Sequence, residues 1–386
     1  MSEYEYYEFQ AVDRPLSTYE MRALRAISSR ATITPTRFSN FYTFGSLKAN
    51  PHDLLASYFD VFVYLANWRY RELAFRFPKG VLEAKTARLY VLPNGLRVRA
   101  QGTSTLVIAS AESPDDAIES NDDDGSGWLS TLAGLRADLA AGDHRVLYLA
   151  WLMGVQAGEV DDDAVEPPCP PGLNDLSGSL EAFVDFVWLD SDLVAAAAEG
   201  SQPLKETPDA DVQQWIASLS NTEKTQLLVR VARRDGAVAA ELASRFRRTM
   251  EAILPPIRGR RVSELRASAE RRAGDRRRAE NERAAEADRR RKAEEQQARV
   301  EYLDALARRQ DAVWREVEQL VNSHKPTSYI RATTLLVDLR DVAERGGRPD
   351  AFARQLAALR ARHAAKPAFQ SRLRVAGLGE DSQGRR

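Results

Sequence analysis

A long run of charged and small residues, 258–299, constrains the fold of this chain more than any other feature. Its second half, 279–299, carries six basic and six acidic side chains and no large apolar one. Such a segment has no apolar face to bury in a core. Opposite charges recur four positions apart, as in Asp288 and Lys292, which is the spacing of neighbours on a helix surface. The run therefore predicts a solvent-exposed helix, and the apolar residues that follow extend the predicted helix to cover 258–323.

Globular sequence lies on both sides of this run, and shifts in composition place the boundaries. The predicted fold class is α+β, mostly α overall, with a mixed or antiparallel sheet in the N-terminal domain. The predicted segments are an α+β domain (1–112), an acidic linker (113–127), a helical domain (128–257), a charged helical stalk (258–299), a C-terminal helical bundle (300–378) and a disordered tail (379–386).

Short runs of aromatic and β-branched residues predict the strands of the N-terminal domain. The clearest local pattern is Asn94-Gly95 between two β-prone runs, a pair typical of a tight hairpin. Ser17 and Glu20 have the spacing of a capping box, which predicts a helix after Ser17. The predicted strands are 4–12, 31–36, 41–44, 59–66, 72–77 and 105–109, with the hairpin over 89–98.

Beyond the acidic linker, apolar residues recur with helical spacing. Pro255-Pro256 ends the helical domain, because proline cannot continue a helix. After the charged stalk, apolar stripes predict a bundle of short helices that pack on one another. The predicted helices of the helical domain are 128–140, 144–157, 177–188, 191–198, 209–218, 221–233 and 236–254.

The net charge of −1 conceals a strong asymmetry along the chain. Residues 1–257 carry 24 Lys and Arg against 36 Asp and Glu, whereas 258–386 carry 31 against 20. The basic start of the stalk can dock against the acidic half, which is the more common role of such a segment, or contact phosphates. The candidate phosphate-contacting residues are Arg258, Arg260, Arg261, Arg271, Arg272, Arg276, Arg277 and Arg278.

Aromatic residues are crowded near the N-terminus, where 17 of the 31 fall in the first 77 positions. Cross-strand packing in a core is the ordinary explanation. Exposed aromatics interleaved with arginines also suit a partner-binding surface or the stacking of bases. The candidate partner-binding residues are Tyr4, Tyr6, Phe41, Tyr42 and Trp68.

Several classes of function lack their sequence motifs. The chain has one cysteine, Cys169, and four scattered histidines, so we predict no metal site. Phosphate-binding glycine loops and nucleophile elbows are absent, and we predict no cofactor. The start of the chain is acidic and aromatic, unlike a signal peptide, and its most apolar run, 146–155, is too short to span a bilayer. We therefore expect a cytoplasmic protein without membrane partners.

The opening of the chain resembles an uncharacterised family of bacterial proteins. The likeness is carried by YEYYEFQ at 4–10, RPLS at 14–17 and SSRATITPT at 28–36. This resemblance implies no activity. Roughly the last 60 residues, with LLVDLR at 335–340 and Lys366-Pro367, resemble the helical tail of some bacterial SWIM-type zinc-finger proteins. The cysteine/histidine zinc motif of those proteins is absent, so the resemblance implies neither zinc nor a role on DNA.

These observations support three hypotheses of different classes. The first is a non-enzymatic protein-interaction or scaffold protein with a protein partner. The second is an accessory nucleic-acid-associated protein that uses the basic stalk and tail. The third is an enzyme without short motifs in the N-terminal half, for which converging carboxylates or histidines are the feature to find. Homodimerisation through 258–299 is a further expectation, and a monomeric stalk is its alternative.

Overall fold

The computed structural model of the protein describes residues 4–82, 84–113, 125–204, 208–233, 237–251 and 259–379. Two compact units divide the chain, Met1–Arg276 and Arg277–Arg386. The predicted fold class is confirmed, with an antiparallel sheet near the N-terminus and helices through the rest. Most of the predicted linker, nearly all of the predicted tail and Arg258 lie outside the described residues.

Within these ranges, seven strands form one sheet, in which every pair of neighbouring strands is antiparallel. The strand order is β2-β3-β1-β4-β5-β7-β6. The strands are β1 (Glu5–Gln10), β2 (Thr32–Ile33), β3 (Arg37–Tyr42), β4 (Val61–Ala66), β5 (Tyr70–Pro78), β6 (Leu96–Gln101) and β7 (Ser104–Glu112).

The helices follow the predicted apolar periodicity closely from Trp128 onward. Those of the first unit are α1 (Thr18–Ile27), α2 (Pro51–Tyr58), α3 (Ala84–Ala87), α4 (Trp128–Leu132), α5 (Gly134–Ala140), α6 (Arg145–Gln156), α7 (Gly178–Phe186), α8 (Ser191–Ala198), α9 (Asp209–Ser218), α10 (Asn221–Ala232) and α11 (Ala237–Glu251). Then come α12 (Val262–Arg308), α13 (Gln310–Asn322), α14 (Pro326–Arg345), α15 (Pro349–Arg362) and α16 (Pro367–Val375).

The two faces of the sheet belong to two different cores, because successive side chains of a strand point to opposite faces. On one face, Val63 and Leu73 pack with α4 to α8 and with Val262 and Leu265 at the start of α12. The part of the predicted helical domain that forms α4 to α8 thus shares a core with the sheet, and the first turns of the predicted stalk are part of that core. On the other face, Phe62 and its neighbours pack with α1 and α2.

The predicted hairpin at Asn94-Gly95 is wrong. Residues Arg88–Tyr90 form a 3-10 turn, and no strand precedes Asn94 within the described segment 84–113. The tight turn lies at Gly102-Thr103 between β6 and β7, where Gly102 takes the positive φ of +59° that the turn requires. The side chain of Tyr90 is drawn into the core and donates a hydrogen bond to the carbonyl of Pro168, 2.7 Å away.

Two helices differ from the sequence-based expectation. Helix α2 was not predicted, although Asn50 caps its first amides and Pro51 occupies the first turn, a recognisable start pattern. The predicted single helix over 258–323 is two helices, because the backbone of Arg309 leaves helical geometry at φ −119° and ψ 25°. The capping box of Ser17 and Glu20 is confirmed, with both reciprocal hydrogen bonds formed.

The second unit contains a helical bundle with its own core. Leu306, Val317, Leu336, Leu339 and Phe369 are fully buried in it. Between residues 275 and 302, α12 is exposed except at the half-buried Asp288, and Lys292 pairs with Asp288 at 2.8 Å as predicted. The bundle core therefore begins where the large apolar side chains return, near Leu303.

Candidate functional site

The first arginine of the described stalk is held inside the first unit. Arg260 donates to both carboxylate oxygens of Glu166, at 3.3 and 3.1 Å. It also donates to the carbonyls of Ala196 and Ala197, at 2.8 and 3.1 Å. Glu166 is buried and accepts a further hydrogen bond from Tyr148 at 3.3 Å. This arginine therefore ties the start of α12 to the first unit and is not displayed to phosphates.

Three more of the candidate phosphate-contacting arginines pair with carboxylates of the same unit. Their partners come from the loop after α6, from α8 and from the residue that follows α8, so the acidic part of the first unit attracts the basic start of α12. The hydrogen bonds from Arg272 and Ser268 lower the pKa of Glu199. The pairs are Arg261 with Asp163 at 2.6 Å, Arg272 with Glu199 at 2.7 Å and Arg276 with Asp192 at 2.9 Å. Arg271, Arg277 and Arg278 are exposed on α12.

Two of the five candidate partner-binding aromatics are buried, so they do not form a surface. Tyr6 packs in the core under α4 to α8 and donates to Glu8 at 2.9 Å. Burial, and then the charge of Glu8, raise the pKa of Tyr6 to about 12. Tyr42 lies in the core on the other face and donates to Ser28 at 3.1 Å. For these two residues, packing across the sheet explains the aromatic side chain.

The remaining three candidates lie at one end of four neighbouring strands, and Phe44 joins them. We call Tyr4, Phe41, Phe44 and Trp68 the aromatic edge. Phe44, Trp68 and Phe41 are 73%, 51% and 42% exposed. The rings of Tyr4 and Phe41 are stacked with centroids 5.2 Å apart. Arg30 lies over the ring of Phe44 at 4.6 Å, an arrangement favoured by the ring's electrons.

The backbone around the aromatic edge is fixed by specific hydrogen bonds. The amide of Tyr4 donates to the side chain of Asn67 at 3.1 Å, and the amide of Asn67 donates to the carbonyl of Tyr4 at 3.2 Å. Trp68 follows in the turn between β4 and β5, and Arg69 closes that turn with an uncommon positive φ of +68°. The indole is therefore presented by an ordered turn.

A polar cluster around Glu72 lies on the face of the sheet that packs against α2. One carboxylate oxygen of Glu72 contacts Nε2 of His52 at 2.7 Å. The other accepts from Tyr70 at 3.1 Å and from Arg97 and Ser110, each at 3.2 Å. Helix α2 and strands β5, β6 and β7 each contribute to this cluster, so only the tertiary fold assembles it.

The environment of Glu72 keeps its side chain charged. Burial alone would raise its pKa, but the hydrogen bond and charge of His52 and the charge of Arg97 outweigh burial, so the pKa is lowered. A carboxylate only accepts hydrogen bonds, so Nε2 of His52 carries the proton in this contact. Within the described residues, Nδ1 of that histidine makes no hydrogen bond. The pair therefore has the arrangement of a histidine oriented by a carboxylate.

The cysteine and the other histidines do not join this cluster. Burial, and then the charge of Glu166, raise the pKa of Cys169 to about 11, which makes it a poor nucleophile. His363 contacts Glu318 inside the C-terminal bundle at 2.6 Å. Among the described residues, no three His, Cys, Asp or Glu side chains are grouped as metal ligands.

The sequence contained no pattern that could have revealed the Glu72 cluster, because its members are far apart in the chain. Phe44, by contrast, stands in the aromatic-rich region from which the other candidates were chosen. Comparison with protein-family models, with the curated proteins and with the solved structures gave no match. In the part of the chain that the structure describes, no helix has the length and apolarity needed to cross a membrane.

Proposed function

We propose that this chain is a non-enzymatic protein-interaction protein of the bacterial cytoplasm, whose aromatic edge binds a protein partner. The observation that carries the proposal is the exposure of Phe41, Phe44 and Trp68 at one end of the same sheet. Large aromatics are costly to leave in water, and protein interfaces are enriched in them. Arg30, stacked on Phe44, adds the residue type that most often accompanies aromatics at binding hot spots.

The rigidity of this surface supports the same proposal. The stacked pair of Tyr4 and Phe41 and the ordered turn at Trp68 fix the aromatic groups before a partner arrives. Binding then costs little additional conformational entropy. The ion pairs of Arg260, Arg261 and Arg276 favour a protein partner over nucleic acid, because these charges are already matched inside the first unit.

Native co-purification with mass spectrometry tests this proposal. The full chain is compared with a variant carrying Phe41→Ser, Phe44→Ser and Trp68→Ser. The matched control is Tyr19→Ser, because Tyr19 is an exposed aromatic on α1, away from the aromatic edge. We expect one set of proteins to be lost from the triple variant and retained by the control. Identical sets from both variants would refute the proposal.

The same experiment separates a protein partner from nucleic acid. Nuclease treatment and two salt concentrations are applied in parallel, because contacts with phosphates weaken steeply as salt rises. Partners of the aromatic edge are expected to survive both treatments. Partners that nuclease removes, and that Arg271→Ala with Arg277→Ala also removes, would support the nucleic-acid alternative instead.

A different observation favours catalysis in the N-terminal half as a second candidate function. Glu72 orients His52 through Nε2, and Nδ1, which makes no hydrogen bond within the described residues, is the ring nitrogen left to exchange a proton with a substrate. Arg97 lies beside the same carboxylate and supplies a positive charge. Hydrolysis of chromogenic esters and phosphates by the full chain tests this function, with His52→Asn as the matched variant. Turnover that His52→Asn leaves unchanged would exclude this histidine as the base.

A further inference from the structure

Strand β6 is the last strand in the order of the sheet, so one of its sides has no neighbouring strand among the residues that the structure describes. The two-residue turn at Gly102-Thr103 makes Gln101 and Ser104 a hydrogen-bonded pair. The main-chain N–H and C=O groups of Arg97, Arg99 and Gln101 therefore point to β7. Those of Leu96, Val98 and Ala100 point outward, away from the sheet. The outward carbonyl of Leu96 accepts from the amide of Leu92 at 2.9 Å, in agreement with this alternation.

The rest of this outer side is unpaired. In the described part of the chain, the main-chain N–H and C=O groups of Val98 and Ala100 make no hydrogen bond. Ala100 is exposed and Val98 is half-buried. A row of unpaired main-chain groups on an edge strand is a template on which another strand can pair.

The side chains of this edge carry positive charge on one face. Arg99 is exposed and has no ion pair within the described residues. Arg97 lies two residues earlier on the same face and uses Nη2 to bind Glu72 and Ser110. Its Nε is buried and has no hydrogen-bond acceptor. The exposed guanidinium of Arg99, beside a free strand edge, is therefore available to an acidic side chain from outside the chain.

Charge disfavours a second copy of this chain on the edge in the registers centred on Val98 and on Arg99. If two β6 strands pair antiparallel with Val98 at the centre, Arg97 of one copy lies opposite Arg99 of the other. If Arg99 is at the centre instead, the two copies of Arg99 lie opposite each other. Like charges directly opposite one another destabilise a strand pair. The charges thus favour a different occupant, one with negative side chains.

We infer that the outer edge of β6 binds an extended, acidic segment of a partner protein as an additional strand. Two acidic residues of that segment, two positions apart, lie against Arg97 and Arg99, because strand residues with that spacing share a face. The main-chain groups of Val98 and Ala100 pair with the backbone of the segment. The edge is at the opposite side of the sheet from β3 and β1, so this inference does not depend on the aromatic edge.

Fluorescence anisotropy of the full chain tests this inference. The probes are two short labelled peptides, one alternating glutamate with threonine and the other alternating lysine with threonine. We expect the glutamate peptide to bind more tightly than the lysine peptide. Ala100→Pro removes an outward N–H without removing a hydrogen bond to β7, as proline tolerates an edge position of this kind. It is expected to weaken binding of the glutamate peptide about tenfold.

Charge variants keep the test decisive if the proline variant does not fold. Arg99→Glu is expected to weaken the glutamate peptide about tenfold and to strengthen the lysine peptide. Arg22→Glu, an exposed arginine on α1, is the matched control and is expected to change neither. Hydrogen exchange should show new protection at the amides of Val98 and Ala100. Failure of both peptides to bind, equal binding of the two, or binding that Arg99→Glu leaves unchanged would overturn the inference.

Discussion

Replacing Arg260 by methionine is expected to destabilise the unit Met1–Arg276 by about 3 kcal/mol. The side chain of Glu166 is only 3% exposed, so removing its charged partner leaves a carboxylate buried without compensation. The carbonyls of Ala196 and Ala197 also lose their shared donor. We expect a loss at the lower end of the range measured when one partner of a buried ion pair is removed. The reason is that the side chain of Arg260 is 22% exposed and that Tyr148 still donates a hydrogen bond to Glu166.

Urea denaturation followed by tryptophan fluorescence measures this loss. Five of the six tryptophans lie in Met1–Arg276, so the fluorescence mainly follows that unit. Arg277→Met is the matched control, because Arg277 is exposed, and it is expected to change stability by less than about 0.5 kcal/mol. In the double variant with Glu166→Gln, the loss should be smaller than the sum of the single losses, because the two residues are coupled.

The result that would refute this reasoning is a shift for Arg260→Met no larger than that of the control. It would mean that the start of α12 is not held by this pair. Arg260 would then be available to a phosphate or to another partner, and the nucleic-acid alternative would gain support.

Three further predictions concern other parts of the chain. Gly259→Ala is expected to lower the stability of the first unit by about 1 to 3 kcal/mol, because a Cβ there would lie 2.8 Å from the carbonyl oxygen of Glu166. Gly274→Ala, which meets no atom within 4 Å, should instead raise it by up to about 1 kcal/mol, and thermal melting of the two variants checks both signs. Glu72 has a lowered pKa, so its charge stabilises the fold above the unfolded pKa of about 4.3, and this contribution is lost as pH falls through the folded pKa. In the Glu72→Gln variant, the free energy of unfolding should therefore fall less steeply as the pH is lowered. A fall as steep as in the unchanged chain would contradict this role. Leu306→Ala, at a fully buried position in the C-terminal bundle, should cost about 3 kcal/mol in denaturant unfolding, whereas Val300→Ala, at an exposed position, should cost little.

The elements that sequence predicted well are those governed by local interactions. The helices beyond Trp128 follow from apolar spacing of about 3.6 residues, and the helix after Ser17 follows from its capping box. The hairpin at Asn94-Gly95 failed for the opposite reason. The local pair favoured a turn with two strands, but packing drew Tyr90 into the core and moved the turn to Gly102-Thr103.

The candidate partner-binding residues could likewise be predicted only in part from local sequence. Tyr4, Phe41 and Trp68 were identified from aromatic crowding, but the same criterion also selected Tyr6 and Tyr42, which are buried. Alternation along a strand tells which residues share a face and not which face is covered. The coverage depends on where α1, α2 and α4 to α8 pack, and that is not encoded in any short segment.

By itself, the sequence determined the α+β class, the positions of most helices and the exposed, charged character of 279–299. These depend on the side chains of near neighbours. The tertiary structure alone decided that Arg260 is bound to Glu166, that Glu72 meets His52 and Arg97, and that β6 is an edge. Each of these depends on residues brought together from distant parts of the chain, where the energy of burying a charge is balanced by partners that no local pattern predicts.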